Sequence, residues 1–303
     1  MEIERHDELT APLLTEILGL LVDAGGAEPL GEAKHAQLEI GASDWSGVLI
    51  REEGTPVGYA HVRWGEAGGE PRATAELVTA SDRDDAPDLA RLLADEVRAL
   101  VARRGGGPLY MWAHRVAEPA DALPAAAGLS VQRRLAVMSR PLVERPTVPA
   151  PPKGVHLRPY RPGEDDDEFL RVNNASFADH PEQGGWDHAT LEERRRRTWF
   201  DPEGFILAWR GERLLGFHWT KLHRGRVPVG EVYVLGVAPD AQGLGLGRVL
   251  LDAGLAHLHD RGCREAILYV DGANTSAVGL YNAAGFATLH LEVCFEETVP
   301  AAA

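Results

Sequence analysis

The twenty residues Glu231 to Leu250, EVYVLGVAPDAQGLGLGRVL, pass from an apolar strand through a glycine-rich loop into a helix. Alternation in EVYVLGV predicts a strand ending at Val237, with Glu231, Tyr233 and Leu235 on one face. A short turn follows at Pro239 and Asp240, and then Leu246, Val249, Leu250, Ala253 and Leu258 repeat at helical spacing up to Gly262. A loop of this kind turns backbone N-H groups toward an anion, and the helix start adds partial positive charge. Phosphate is the expected guest. The glycines do not spell a dinucleotide site: counting GxGxxG from Gly243, the last place holds Arg248. No Gly-Lys-Ser/Thr follows either, and what stands is Q-x-x-G-x-G, as Gln242, Gly245 and Gly247.

Outward from this stretch, Phe205 to Trp209 and Leu214 to His223 read as a hairpin about the turn Arg210 to Arg213, and Gly230 to Val237 as its third strand. Beyond the helix come a strand over Ala266 to Val270, a helix from about Thr275 to Ala284 and a last strand near Phe286 to Phe295. Hairpin, strand, helix, strand, helix, strand is an α+β arrangement, not a doubly wound parallel sheet.

The same order recurs upstream. GTPVGYAHVRW at 54 to 64 matches GERLLGFHWTK at 211 to 221, ATAELVTA at 73 to 80 matches VYVLGVAP at 232 to 239 with Val78 over Val237, and Gly128 falls on Gly285. Between the copies, Pro141 to Gly154 carries five prolines and reads as an extended linker. The expectation is a first domain over 1–140, a linker over 141–153 and a second domain over 154–303.

Composition narrows the partners. Apolar residues at 44% and charged residues at 25% suit folded domains, and a formal charge of −15 repels phosphate backbones and anionic membranes. The charged start MEIERHDELT and the lack of a long apolar run read as cytoplasmic. Cys263 and Cys294, the two cysteines, have no metal-ligand spacing, so no metal and no disulfide are expected. A small-molecule substrate, no nucleic acid, no membrane and a monomer complete the expectation.

The loop resembles the pyrophosphate loop of the GNAT superfamily of N-acetyltransferases, and the second part of that signature stands in order as Asn274, Leu280, Tyr281, Gly285 and Phe286. The resemblance implies two tandem GNAT-type domains, each a mixed central sheet flanked by helices, with acetyl-CoA as co-substrate. It implies a cofactor site at Leu235, Gly236, Val237, Gln242, Gly243, Leu244, Gly245, Leu246, Gly247, Arg248, Asn274, Ser276 and Ala277. Glu231 is implied as the base that frees the amine, and Tyr281 as the acid for the departing thiolate. The first copy has Ser81-Asp82-Arg83-Asp84-Asp85-Ala86-Pro87 in place of the loop, Pro124 in place of Tyr281 and Arg72 opposite Glu231, so it reads as degenerate.

A tandem chain with a degenerate first half is similar to the mycothiol synthase family, which acetylates the cysteine amine of cysteinyl-glucosaminyl-inositol. The peptides His180 to Gly184, Gly216 to Lys221, Glu231 to Val234 and Leu268 to Gly272 carry that likeness. It implies an acceptor held by Glu231, Lys221, Glu182, Tyr269 and Glu32. Lys221 also shares a strand face with Phe217 and Trp219, where it could instead lie over aromatic surface. A protein or peptide N-terminal acetyltransferase and a non-catalytic acyl-CoA sensor stay open as alternatives. Arg194 to Arg197 read as a solvated helix face, and His218 and His223 as strand residues without a metal partner.

Overall fold

A computed structural model of the chain describes residues 1–24, 44–67, 70–80, 85–116, 130–178, 183–224 and 227–302. The first elements are β1 (Glu2–His6), α1 (Ala11–Ala24), β2 (Trp45–Glu52), β3 (Thr55–Ala67), β4 (Glu70–Thr79), α2 (Ala86–Arg103), β5 (Gly107–Val116) and β6 (Ser130–Pro141). They are followed by β7 (His156–Pro159), α3 (Asp166–Ser176), α4 (His188–Arg195), β8 (Phe205–Arg210), β9 (Arg213–His223) and β10 (Val229–Val237). Last come α5 (Leu246–Asp260), β11 (Glu265–Asp271), α6 (Thr275–Ala283) and β12 (Ala287–Val299). The α+β order expected for the second copy is the order observed.

Two compact units form. Unit 1 is Met1–Ala136 with His290–Ala303, and unit 2 is Val137–Leu289. Unit 1 carries the strand order β1-β2-β3-β4-β5-β12. Its ladders are antiparallel except for the parallel pair β4 and β5. Unit 2 carries β11-β10-β9-β8-β7, with the end of β6 from Val137 beside β11, β10 and β11 parallel and the ladders from β10 through β7 antiparallel.

This division differs from one cut at a linker, because residues from His290 onward belong to unit 1. There Leu291 to Val299 pair with β5, Arg98 meets Glu297 at 2.7 Å, and Val299 joins the core of Val48, Leu93, Val97 and Leu109. The proline-rich stretch has neither helix nor strand beyond Pro141, yet it is anchored within unit 2. Leu142 is buried and its N-H donates to the Arg264 carbonyl, and Arg145 reaches Asp260 at 2.9 Å.

The register also corrects the alignment of the two copies. Gly58 pairs with Thr79, and Gly216 with Val237, so Thr79 rather than Val78 answers Val237. Arg63 pairs with Thr74 as Lys221 pairs with Glu231, so Thr74 rather than Arg72 stands at the position of Glu231. A threonine hydroxyl is no more able than arginine to hold a transferred proton at neutral pH.

In unit 2, one face of the sheet is covered by an aromatic core. Phe205 stacks on Trp219 with centroids 4.4 Å apart, and Phe169 meets Phe217 edge-on at 4.8 Å, arrangements that favour the ring quadrupoles. On the other face α5 lies against His218, whose Nδ1 donates to the Leu250 carbonyl at 2.8 Å. Burial pushes the His218 imidazole down to about 4, so it is neutral at neutral pH. Gly254 on α5 makes room for this ring, since a Cβ there would collide with Nδ1. Glycine to alanine in a helix ordinarily stabilises by about 1 kcal/mol. At Gly254 the clash reverses the sign: Gly254→Ala is expected to destabilise by about 1–3 kcal/mol through overpacking. Urea unfolding checks this, and a raised midpoint would contradict it.

Candidate active site

The ladder between β9 and β10 contains one residue too many. Pairing runs Glu231 with Lys221 and Val232 with Thr220, then resumes at Val234 with Trp219, leaving Tyr233 as a bulge. Such an insertion bends a strand and increases its twist. Beside it, the parallel ladder to β11 ends after Gly230 with Ala266 and Glu231 with Ile267, although β10 continues to Val237 and β11 to Asp271. The two strands therefore part just beyond Glu231, and the backbone groups of Val232 to Val237 on that edge have no ladder to β11. Strict alternation fails here: Leu235 pairs with His218, on the face opposite to that of Glu231, Lys221 and Trp219.

Glu231 sits at this fork and is 6% exposed. His223 Nε2 donates to its Oε2 at 2.6 Å, and Lys221 Nζ lies 3.9 Å from the same oxygen. Burial pushes the carboxyl up, but the Lys221 charge and the His223 hydrogen bond outweigh it and hold the group below the ordinary 4.5. Glu231 is therefore a carboxylate at neutral pH. Lys221 is buried, its Nζ 5.3 Å from the Trp199 ring centre and 5.7 Å from that of Tyr233, close enough for cation-π attraction. The aromatic setting read for Lys221 in the sequence is present, joined by its ion pair.

The glycine loop has the geometry of an anion cradle. Gly243 and Gly245 both have φ of 78°, a left-handed conformation that side chains resist, and a Cβ on either would meet nothing within 4 Å. Gly245 caps α5 without any side-chain bond, and the N-H groups of Gly243 to Arg248 have no acceptor among the described residues. This fits a pyrophosphate. Leu244 projects outward while Leu246 is buried, so the latter offers the loop only its N-H. The Arg248 guanidinium is already held by Asp252 at 2.6 Å and the Ala283 carbonyl at 2.9 Å.

On α6, Asn274 accepts from the Ala277 N-H at 3.1 Å, capping the helix, and Ser276 is exposed beside it. Tyr281 is buried edge-on to Phe286 at 5.9 Å, and burial pushes its phenol up to about 12. It therefore keeps its proton at neutral pH. Tyr269 is half-buried on β11, past the point where the parallel ladder ends. Glu32, Glu182 and Pro124 lie outside the described residues, as do Ser81 to Asp84 of the first copy's loop.

Residue matching with known proteins is consistent along the whole chain. Residues 169–286 match the Acetyltransferase (GNAT) family. A mycothiol acetyltransferase of Catenulispora acidiphila is 42% identical over 298 residues, covering 97% of this chain and 91% of that protein. One from Thermomonospora curvata is 43% identical, covering 97% of both. The chain belongs to the mycothiol acetyltransferase family. In fold it is similar to a tandem GNAT protein of the clavulanic acid biosynthesis pathway, with a TM-score of 0.75, 18% identity and 100% of both chains covered. A GCN5-related N-acetyltransferase from Sphaerobacter thermophilus gives 0.72 at 19% identity, covering 99% of this chain and 97% of that one. Like the rest of this family, the chain is an acetyl-CoA-dependent N-acetyltransferase of two tandem GNAT-type domains.

Within this acetyltransferase the two copies differ where it matters. The matching ladder of unit 1 has no bulge: β3 and β4 pair without a register shift from Gly58 with Thr79 to Ala67 with Glu70. Its parallel ladder stays closed from Ala73 with Leu109 to Leu77 with Ala113. Leu77 answers Leu235, so the strands are joined in unit 1 where they part in unit 2. No described helix is long and apolar enough to cross a membrane, and no cluster of three metal-ligating side chains stands among the described residues.

Sequence alone assigned His223 no part beyond that of a strand residue, and Trp199 and the bulge carried no signal. His223 shares the face of Lys221, two residues on, which was the available signal. Arg195, assigned to a solvated face, is largely buried and bonds Tyr160 and Asp166 at 3.0 Å. Because the folded Glu231 titrates below its ordinary value, its stabilising contribution is full above that value and is lost as pH falls through the folded one. Wild type should therefore lose stability more steeply than Glu231→Gln as pH falls below about 4.5. Urea midpoints across that range check this, and parallel curves would contradict it.

Proposed function

We propose that this chain transfers the acetyl group of acetyl-CoA to the cysteine amine of cysteinyl-glucosaminyl-inositol, giving mycothiol. The observation that carries the reading is a charged, buried carboxylate at the point where two parallel strands part above an anion cradle. Its full-length relatives named mycothiol acetyltransferase support the choice of acceptor.

In this reading the N-H groups of Gly243 to Arg248 hold the pyrophosphate, with α5 adding its N-terminal charge. Asn274, Ser276 and Ala277 at the start of α6 are further acetyl-CoA contacts that we assign from the family likeness. The unpaired edge of Leu235 to Val237 receives the pantetheine as an added strand. A backbone N-H of that edge then polarises the thioester carbonyl and stabilises the oxyanion. Only a neutral amine attacks, so Glu231 accepts one amine proton, directly or through water. As the C-S bond breaks, Tyr281 donates its proton to the thiolate, a role that a phenol titrating near 12 can fill because it is not ionised beforehand. Lys221 and Tyr269 lie at or beyond the fork, and Glu182 and Glu32 are the further acceptor ligands we assign from the family likeness.

Glu231→Gln keeps the shape but accepts no proton, so kcat should fall by about 10²-fold or more. Acetyl-CoA affinity, measured by calorimetry, should stay within about 2-fold, since the phosphates are held elsewhere. Full activity at every pH would remove Glu231 from the role of base. Gly245→Glu places a side chain at φ of 78° and a negative charge in the cradle, so acetyl-CoA binding should weaken by at least about tenfold. The acceptor is tested by following CoA release and product mass with the pseudodisaccharide beside a panel of N-terminal peptides. Preference for the pseudodisaccharide is expected, and turnover on peptides alone would replace the acceptor.

A further inference from the structure

We propose that His223 is a positioning residue, which fixes the Glu231 carboxylate so that Oε1, and not Oε2, takes the amine proton. This rests on Glu231 being the base, as in the reading above. The two side chains approach from neighbouring strands, His223 opposite Val229 on β9 and Glu231 opposite Lys221 on β10. Their contact is a 2.6 Å bond from Nε2 to Oε2. A carboxylate only accepts, so the hydrogen lies on Nε2. Lys221 Nζ, at 3.9 Å, is also nearest to Oε2. That oxygen thus carries a short charge-assisted bond and faces an ammonium, and both lower its appetite for another proton. Oε1 makes no hydrogen bond among the described residues.

A carboxylate held by one donor cannot rotate freely about its last torsion, which is broad and roughly two-fold when unrestrained. The bond to His223 removes that freedom before substrate arrives. In the transfer, the proton leaves the ammonium for Oε1, and the freed nitrogen lone pair forms the N-C bond to the acetyl carbon. The C-S bond then breaks with its electron pair on sulfur, Tyr281 supplies the proton that makes the thiol, and the second proton of the acylated nitrogen passes through water to return Tyr281 to a phenol, leaving a neutral amide. His223 gains and loses nothing in this sequence. It differs from Glu231 in kind: it touches neither amine nor thioester, and acts by holding the group that does.

Glutamine can place a donor near the Nε2 position of histidine, whereas alanine cannot. His223→Gln should therefore keep kcat within about 3-fold of wild type, while His223→Ala should lose about 10- to 100-fold in kcat, the scale of a misplaced reacting group. Acetyl-CoA affinity should be unchanged in both, which also shows that each variant is folded. The proposal is overturned if His223→Ala keeps wild-type kcat, or if His223→Gln is as impaired as His223→Ala while both bind acetyl-CoA normally. A readout independent of any acceptor is the imidazole N-H resonance in protein labelled with 15N-histidine. A downfield N-H signal that Glu231→Ala abolishes is expected, and absence of that signal in wild type overturns the orienting bond. If wild type shows the signal yet acetylates no amine, the acetyltransfer reading falls while the bond stands.

Discussion

Tyr233 is the residue on which the geometry of the site depends. Inserted between the paired residues Val232 and Val234, it bends β10 away from β11 at the level of Glu231. Without that bend the parallel ladder would close, as it does in unit 1 through Leu77. A closed ladder satisfies its own N-H and C=O groups and leaves none for a ligand. The bulge costs local hydrogen bonds, and the aromatic core behind it offsets that loss: Tyr233 packs on Trp199 at 4.8 Å and on Trp219 at 5.6 Å.

The same place must keep a carboxylate charged while burying it. Removing such an ion from water costs several kcal/mol. An ammonium at 3.9 Å returns about 4 kcal/mol at an effective dielectric constant of about 20, so Lys221 alone only matches the penalty. The charge-assisted bond from His223 tips the balance toward the ionised form. Lys221 in turn is buried against the faces of Trp199 and Tyr233, so the bulge residue also helps house the cation that supports the carboxylate.

Much of this was legible in the sequence, for local reasons. The hairpin of β8 and β9 announces itself by apolar runs around Gly211, the cradle by Gln242, Gly245 and Gly247, and α6 by Asn274 at its cap. What escaped is set by contacts between distant residues. A bulge at Tyr233 has no compositional mark inside EVYVLGV, because every residue there suits a regular strand. It shifts register by one, which, added to the one-residue slip of Val78 for Thr79, is why Glu231 looked aligned with Arg72 and is in fact matched by Thr74. The placing of His290 onward in unit 1 is equally invisible locally, since β12 reads as a strand whichever sheet it joins. His223 needed the pairing of β9 with β10 before its bond to Glu231 could be seen.

In the proposed reading the parted edge of β10 and the loop after it seat acetyl-CoA, and the closed ladder of unit 1 does not. Backbone hydrogen exchange with and without acetyl-CoA tests it residue by residue, because an N-H that gains an acceptor gains protection. New protection is expected in Leu235 to Val237 and Gly243 to Arg248, with Ala73 to Leu77 unchanged. Protection that spares Leu235 to Arg248, or that appears in Ala73 to Leu77 instead, would contradict it.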